Sequence, residues 1–180
     1  MRVLVTYASR HGSTKEIAEH IAEKLQASGM EAEAQPVEAA RDLETYDAFV
    51  VGSATYYGHW LKEATAFVKQ NSDALASWPV WLFSSGPLGA EPRDAEGRDL
   101  LEVSEPREIP ELREAVNPRD HRVFFGVLDP GKLKFSERAV RKLPAGRAAL
   151  PEGDFRDWND IEAWAAGIAH ELAQTPVSQG

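Results

Sequence analysis

The 180 residues are 43% hydrophobic, which suits a compact fold with a full core, and the lack of cysteine excludes disulfides, thiolate metal sites, iron–sulfur clusters and thiol catalysis. The formal net charge of −9 opposes general binding to phosphate backbones, so we expect no nucleic-acid partner. No run approaches the roughly 18 apolar residues of a membrane span, and no secretory leader precedes the first strand, which predicts a cytoplasmic protein without an integral membrane segment.

An apolar strand over residues 2–7 opens the chain, and a polar turn and an amphipathic helix follow it. Ser13 with Glu16 three residues later predicts a capping box at the start of this helix, and Gly29 predicts its end. The helix carries apolar residues at helical spacing: Ile17, Ala18, Ile21, Ala22 and Leu25. This face is expected to pack on a sheet.

The next elements continue the alternation of strands and helices. Residues 31–37 are half polar and predict an edge strand, whereas residues 48–52 and 79–84 are apolar and predict central strands. A helix is predicted over residues 60–70, and a fifth strand over residues 122–128. The segments between these elements are short except for two.

Those two long segments are residues 87–120, where only 110–116 predict a helix, and residues 130–153; loops of such length are often functional. A last helix begins near Trp158. The alternation predicts an α/β three-layer sandwich with a five-stranded parallel sheet of order 2-1-3-4-5. We expect one domain over residues 1–174, a flexible tail at 175–180, and a ligand at the carboxyl ends of the strands.

The loop between the first strand and the first helix predicts a phosphate site. It consists of Ser9, Arg10, His11, Gly12, Ser13 and Thr14. A helix N-terminus offers free N–H groups and the positive end of the helix dipole, hydroxyls add donors, and Gly12 allows close approach. The spacing resembles the flavodoxin phosphate signature Ser/Thr-x-Thr-Gly-x-Thr, with His11 in place of the middle threonine and Arg10 as an added positive charge. An ordinary capped turn uses the same residue types, so both interpretations stay open.

Two further loops follow the third and fourth strands, and their composition suits a flat ring held by aromatic faces and backbone groups. The first contains Thr55, Tyr56, Tyr57, Gly58 and His59. The second contains Ser84, Ser85, Gly86, Pro87, Leu88 and Gly89. Trp60 or Leu61 is expected to pack against the following helix instead. Three such loops at neighbouring strand ends predict one binding site.

The loop 9–14, the run 57–59 after Thr55, and residues 154–158 together resemble the flavodoxin-like, menaquinone-dependent protoporphyrinogen oxidases. The resemblance implies a flavodoxin-like fold that binds FMN, with its phosphate at residues 9–14 and its ring between residues 55–59 and 84–89. It also implies electron transfer between the flavin and a quinone or tetrapyrrole-type substrate. His59 would then tune the flavin or deliver protons, or simply shape its loop.

The segment before the last helix departs from that family, in which it is basic and strongly apolar. Residues 131–147 hold six basic residues and one acidic residue, but only a thin apolar stripe. The stripe consists of Phe135, Ala139, Val140 and Leu143. Segment 132–147 is interpreted as a docking site for a redox partner protein, a membrane surface or an anionic tetrapyrrole, or as a solvated helix.

Other functions remain open at this point. A flavodoxin-type electron carrier without its own substrate is the main alternative, a flavin-free binding module is a second, and a deazaflavin could replace FMN. A phosphoacceptor receiver domain would need clustered carboxylates at the ends of strands one and three, where Ser, Thr and Tyr stand instead. The histidine spacing predicts no metal site, and His20, His121 and His170 are expected at the surface or in packing.

Overall fold

A computed structural model describes residues 1–89, 91–94, 96–133, 138–139, 141–144, 146 and 150–174. The predicted tail, 175–180, and part of the basic segment 132–147 lie outside the described residues. The strands are β1 (Arg2–Ala8), β2 (Glu31–Pro36), β3 (Ala48–Tyr56), β4 (His59–Trp60), β5 (Val80–Ser85), β6 (Asp120–Phe124), β7 (Val127–Leu128) and β8 (Gly153–Asp154). The α-helices are α1 (Ser13–Ala27), α2 (Lys62–Gln70), α3 (Ser72–Ala76), α4 (Leu100–Val103), α5 (Ile109–Val116) and α6 (Trp158–Gln174).

Five parallel strands form the main sheet in the order β2-β1-β3-β5-β6, which confirms the predicted order 2-1-3-4-5 and the flavodoxin-like fold. β2 lies at one edge, as its half-polar sequence predicts. β4 pairs antiparallel with the end of β3, and β7 pairs with β8 in a separate two-stranded ribbon. The carboxyl ends of β1, β3 and β5 therefore lie side by side.

Helices cover both faces of the sheet, because successive strand residues point to opposite sides and both sides are apolar. Val5 and Phe83 pack on one face against the apolar stripe of α1 and against Trp164 of α6. Phe49 packs on the other face among residues of α2, α3 and α5, including Phe67. The result is the three-layer sandwich that the alternation of elements predicts.

The first helix begins differently from the sequence prediction. Gly12 is the N-cap, with a left-handed φ of 94°, and no described side chain caps the helix. The capping box of Ser13 and Glu16 is therefore wrong, because the turn needs a positive φ that glycine supplies and this places Ser13 inside the helix. The predicted end is confirmed, since Gly29 has a φ of 88° and its N–H donates to Gln26 O at 2.9 Å.

The predicted fifth strand, residues 122–128, is wrong as one element. β6 ends at Phe124, and the chain bends before Val127 and Leu128 pair with β8. Backbone hydrogen bonds fix the bend: Gly126 N–H donates to Pro87 O at 2.9 Å, and Phe155 N–H donates to Gly126 O at 3.1 Å. The bend carries β7 across the carboxyl edge of the sheet, where it becomes part of a cavity wall.

Within the described ranges, no helix combines the length and the apolar content required to cross a bilayer.

Candidate functional site

A cavity of about 420 Å³ lies at the carboxyl ends of β1, β3 and β5, in the size range of small-molecule pockets. The predicted residues that line it are Ser9, Arg10, His11, Ser13, Thr14, Thr55, Tyr56, Tyr57, Ser85, Gly86 and Leu88. The sequence analysis missed Ala54, Gly126, Val127, Leu128, Leu133 and Leu150, which also line it. All three predicted loops thus contribute to one cavity.

The other predicted site residues lie behind or beside the wall: Gly12, Gly58, His59, Ser84, Pro87 and Gly89. Gly12 shapes the phosphate loop, and its N–H donates to the Ser9 hydroxyl oxygen at 3.1 Å. The hydroxyl hydrogen of Ser9 remains available as a donor. Gly86, by contrast, lines the cavity beside Thr55. A Cβ on Gly86 would lie 2.7 Å from Thr55 Cβ, so only glycine allows the loops after β3 and β5 to approach this closely.

Most of the buried hydroxyls without a hydrogen-bond partner lie on residues of the cavity wall. In the described part of the chain there are four: Thr6 Oγ1, Ser13 Oγ, Thr14 Oγ1 and Thr55 Oγ1. Three of them, on Ser13, Thr14 and Thr55, belong to residues of the cavity wall. An unpaired buried hydroxyl is destabilising by about 1–3 kcal/mol, so a cluster of them indicates an acceptor-rich ligand.

Arg10 and Tyr56 form a cationic and aromatic corner of the same cavity. The Arg10 guanidinium carbon lies 4.6 Å from the centroid of the Tyr56 ring, a cation–π distance. His11 meets the same ring edge-on at 6.2 Å between centroids. The corner joins the phosphate loop to the loop after β3.

Tyr57 and Gly58 form the turn of a tight hairpin that rises beside the cavity. Their φ values of 53° and 76° are those of a type I′ turn between the paired residues Tyr56 and His59. The Tyr57 residue is 97% exposed. Its left-handed backbone conformation costs about 1–3 kcal/mol. An exposed aromatic ring in a strained turn at a cavity rim indicates contact with a ligand or partner.

Glu108 holds this hairpin from outside. Its carboxylate lies 2.6 Å from His59 Nδ1 and accepts the N–H of Trp60 at 3.1 Å, while Arg107 N–H donates to Gly58 O at 3.0 Å. Burial raises the pKa of Glu108, but the hydrogen bonds from His59 and Trp60 outweigh it, so the pKa lies below its ordinary value. His59 thus contacts the start of α5 rather than the cavity.

Ser84 belongs to a buried hydrogen-bonded chain behind the cavity wall. Trp60 Nε1–H donates to Ser84 Oγ at 2.7 Å, and Ser84 Oγ lies 2.8 Å from Nε2 of His121. His121 Nδ1 lies 3.2 Å from the Glu105 carboxylate. A carboxylate only accepts, so His121 carries its hydrogen on Nδ1 and accepts the Ser84 hydroxyl at Nε2. The chain ties the long 87–119 segment to β5 and to the hairpin.

Stability should fall in acid because of His121. Burial lowers its pKa from 6.5 to about 4, against the opposing effect of Glu105, so the folded protein holds the ring neutral. The unfolded chain therefore binds up to one more proton between pH 6.5 and 4, and this contribution to the unfolding free energy is complete above pH 6.5 and lost as pH falls toward 4. Urea titrations across this window should show a shallower pH dependence for His121→Gln. The exposed His170→Gln is the control, and an equal slope in wild type and His121→Gln would contradict the assignment.

Basic side chains near the cavity come partly from the predicted docking segment. Arg138 donates to Gly131 O at 2.7 Å, and Arg141 donates to Leu150 O at 3.1 Å and pairs with Glu152 at 3.3 Å. Leu143 is 64% exposed.

Among the residues that the structure describes, no group of three His, Asp or Glu side chains could hold a metal ion.

A larger groove of about 930 Å³ runs beside α2, between that helix and residues 37–44. Its lining includes four carboxylates, on Glu38, Asp42, Glu44 and Glu63. None of the unpaired buried hydroxyls found in the described residues belongs to its lining. The groove therefore lacks the feature that distinguishes the smaller cavity.

The chain has sequence similarity to two named dehydrogenases. The chain is 27% identical over 177 residues to protoporphyrinogen IX dehydrogenase (quinone) of Escherichia coli, covering 94% of this chain and 96% of that protein. It is 32% identical over 91 residues to NAD(P)H dehydrogenase (quinone) of Paraburkholderia phymatum, covering 38% of this chain and 46% of that protein.

A cysteine-to-serine mutant of flavodoxin from Pseudomonas aeruginosa shares the fold. It superposes with a TM-score of 0.59 at 19% identity, covering 96% of this chain and 99% of that chain. The flavodoxin domain model matches residues 4–145, which is most of the sequence. The chain belongs to the flavodoxin domain family.

Proposed function

We propose that this protein is an FMN-dependent oxidoreductase that transfers electrons between the flavin and a quinone or a tetrapyrrole-type substrate. The observation that carries the proposal is the pair of unpaired buried hydroxyls at the N-terminus of α1, on Ser13 and Thr14, in a cavity whose wall holds a third on Thr55. A phosphate monoester accepts several hydrogen bonds and is favoured by the positive end of a helix dipole. The residues present therefore fit the phosphate of FMN.

The remaining walls fit the flat ring. Ser9, Ser13 and Thr14 would hold the phosphate, whereas Tyr56, Tyr57 and Leu88 would lie against the ring system. The flavin supplies the redox chemistry, so the protein needs to orient it, exclude water and set its electrostatic surroundings. Val127, Leu128, Leu133 and Leu150 add an apolar wall that suits an aromatic cofactor or substrate.

The substrate class rests on the relatives. The Escherichia coli dehydrogenase, whose name specifies protoporphyrinogen IX and a quinone, aligns along nearly the whole chain. The name of the Paraburkholderia phymatum protein also specifies a quinone. Basic side chains of segment 132–147 would meet the carboxylates of a tetrapyrrole or an acidic redox partner. Arg138 and Lys142 are exposed and suit that role.

Reconstitution with FMN tests the proposal directly. We expect one FMN bound per chain, the same cofactor by mass spectrometry after release from protein purified without added flavin, and steady turnover with a quinone and protoporphyrinogen. We also expect Arg138→Glu/Lys142→Glu to raise the KM for the tetrapyrrole severalfold while FMN stays bound.

Other results of this reconstitution would change the cofactor, the type of protein or the whole proposal. A bound deazaflavin would correct the cofactor, and bound FMN without turnover of either substrate class would favour a flavodoxin-type electron carrier. Failure of the cavity to bind any flavin would overturn the proposal.

A further inference from the structure

Lys132 lies over the phosphate loop although it is more than a hundred positions away in the sequence. Its Nζ is 3.8 Å from the position that a Cβ would take on Gly12, the N-cap of α1. The turn at residues 130–132 places it there, fixed by Asp129, whose side chain accepts the N–H of Gly131 at 2.8 Å. The next residue, Leu133, is buried and lines the cavity. This turn therefore precedes an apolar residue of the cavity wall and places a cation beside the phosphate loop.

Lys132 forms an ion pair with a carboxylate in the first turn of α1. Glu16 Oε1 is 3.7 Å from Lys132 Nζ and 4.0 Å from the same Cβ position on Gly12. The contact is long, and the Lys132 side chain is 50% exposed. A charge pair of this kind contributes about 0–1 kcal/mol, so Lys132 can leave it at little cost.

Glu16 itself is neutralised from the other side. Its Oε2 accepts a hydrogen bond from Arg156 at 2.7 Å, and Arg156 also donates to Asp154 at 2.9 and 2.6 Å. The Arg156 side chain is only 6% exposed and lies over the Trp158 ring at 4.5 Å. The hydrogen bond from Arg156 therefore favours the present position of Glu16 when Lys132 leaves, and the positive charge of Arg156 offsets part of the repulsion between Glu16 and an anion at the loop.

We propose that Lys132 is a ligand of the cofactor phosphate, exchanging its ion pair with Glu16 for the phosphate oxygens when the cofactor binds. The proposal rests on the proposed function and adds a charge-compensating residue to it. The loop already provides the unpaired hydroxyls of Ser13 and the almost fully buried Thr14 and the single positive charge of Arg10, whereas a phosphate monoester carries up to two negative charges. Lys132 adds a further positive charge close to the N-cap of α1, because its Nζ lies 3.8 Å from the Cβ position of Gly12.

Flavin titrations of Lys132→Met separate this role from a structural one. Dissociation constants for FMN and for riboflavin, which lacks the phosphate, would be measured from the change in flavin fluorescence. We expect about tenfold weaker FMN binding and unchanged riboflavin binding, because a charged hydrogen bond to phosphate is lost and no ring contact changes. The difference should shrink at high salt, which screens the half-exposed ammonium. Lys142→Met removes the same charge from the same segment and should leave both affinities within about twofold.

The outcomes distinguish the inference from the proposed function. Equal FMN affinity in Lys132→Met and wild type, or an equal loss for FMN and riboflavin, would overturn the role of Lys132 alone, provided that wild type binds FMN. Binding of neither flavin by wild type would overturn the proposed function and this inference together. A second variant, Glu16→Gln, should raise FMN affinity severalfold by releasing Lys132 and removing a nearby negative charge; weaker FMN binding would contradict the exchange.

Discussion

Replacing Ser13 by alanine and Thr14 by valine together is expected to lower the affinity for FMN about a thousandfold while leaving the free energy of unfolding without cofactor unchanged or slightly higher. Each hydroxyl would donate to a charged phosphate, and such hydrogen bonds contribute about 1.5–3 kcal/mol each. In the protein itself both hydroxyls are buried and unpaired, so their removal takes away a destabilising feature and no contact. Calorimetric titration with FMN and urea denaturation of the cofactor-free protein measure the two effects.

Thr6 offers a matched control for this double variant. Its hydroxyl is also buried and unpaired, but it lies on β1 outside the cavity wall. Thr6→Val should therefore raise stability in the same way and leave FMN affinity unchanged. If Ser13→Ala/Thr14→Val and Thr6→Val have the same FMN affinity, the phosphate does not bind at this turn.

The strand order was predictable from sequence because the relevant signals are local. Apolar runs at 48–52 and 79–84 identify central strands, and a half-polar run at 31–37 identifies an edge strand. Right-handed crossovers between parallel strands then leave few possible orders. The bend at Gly126 was missed because an apolar run continues across it, although an isolated glycine within a strand pattern is a signal for such a bend.

The candidate site was predictable where it follows strand ends and unpredictable where distant segments meet. Ser84 and Ser85 were both assigned to the site, but neighbouring strand residues point to opposite faces, so only Ser85 lines the cavity while Ser84 bonds to Trp60 and His121. This alternation was readable once β5 was known to reach Ser85. The approach of Lys132 to Gly12 could not be predicted from the sequence, because it depends on the turn after β7 and not on any local pattern.

Substituting Gly52 by alanine is expected to destabilise the fold by about 3 kcal/mol or more, at the upper end of overpacking effects. Gly52 lies in the centre of the sheet, beside Phe83 on β5, and a Cβ there would be 2.0 Å from Phe83 Cζ. The phenyl ring lies across the glycine and is fully buried, with the rings of Phe124 and Trp164 at 6.1 and 6.2 Å. Because those rings occupy its surroundings, Phe83 cannot move aside cheaply.

Two further variants distinguish this clash from a general cost of removing glycine. Gly167→Ala in α6 adds the same methyl group where, apart from its chain neighbours and the nearby backbone of its own helix, no described atom lies within 4 Å, and it should stabilise the protein by about 0.5–1 kcal/mol, since alanine favours a helix. Phe83→Leu should cost about 1 kcal/mol alone but recover much of the loss when combined with Gly52→Ala, because the smaller side chain leaves room for the new methyl. Urea denaturation followed by tryptophan fluorescence compares wild type with the three single variants and the double variant. Strict additivity of Gly52→Ala and Phe83→Leu would show that the new methyl group and the Phe83 ring do not compete for the same space, and it would contradict the clash as the cause of the destabilisation.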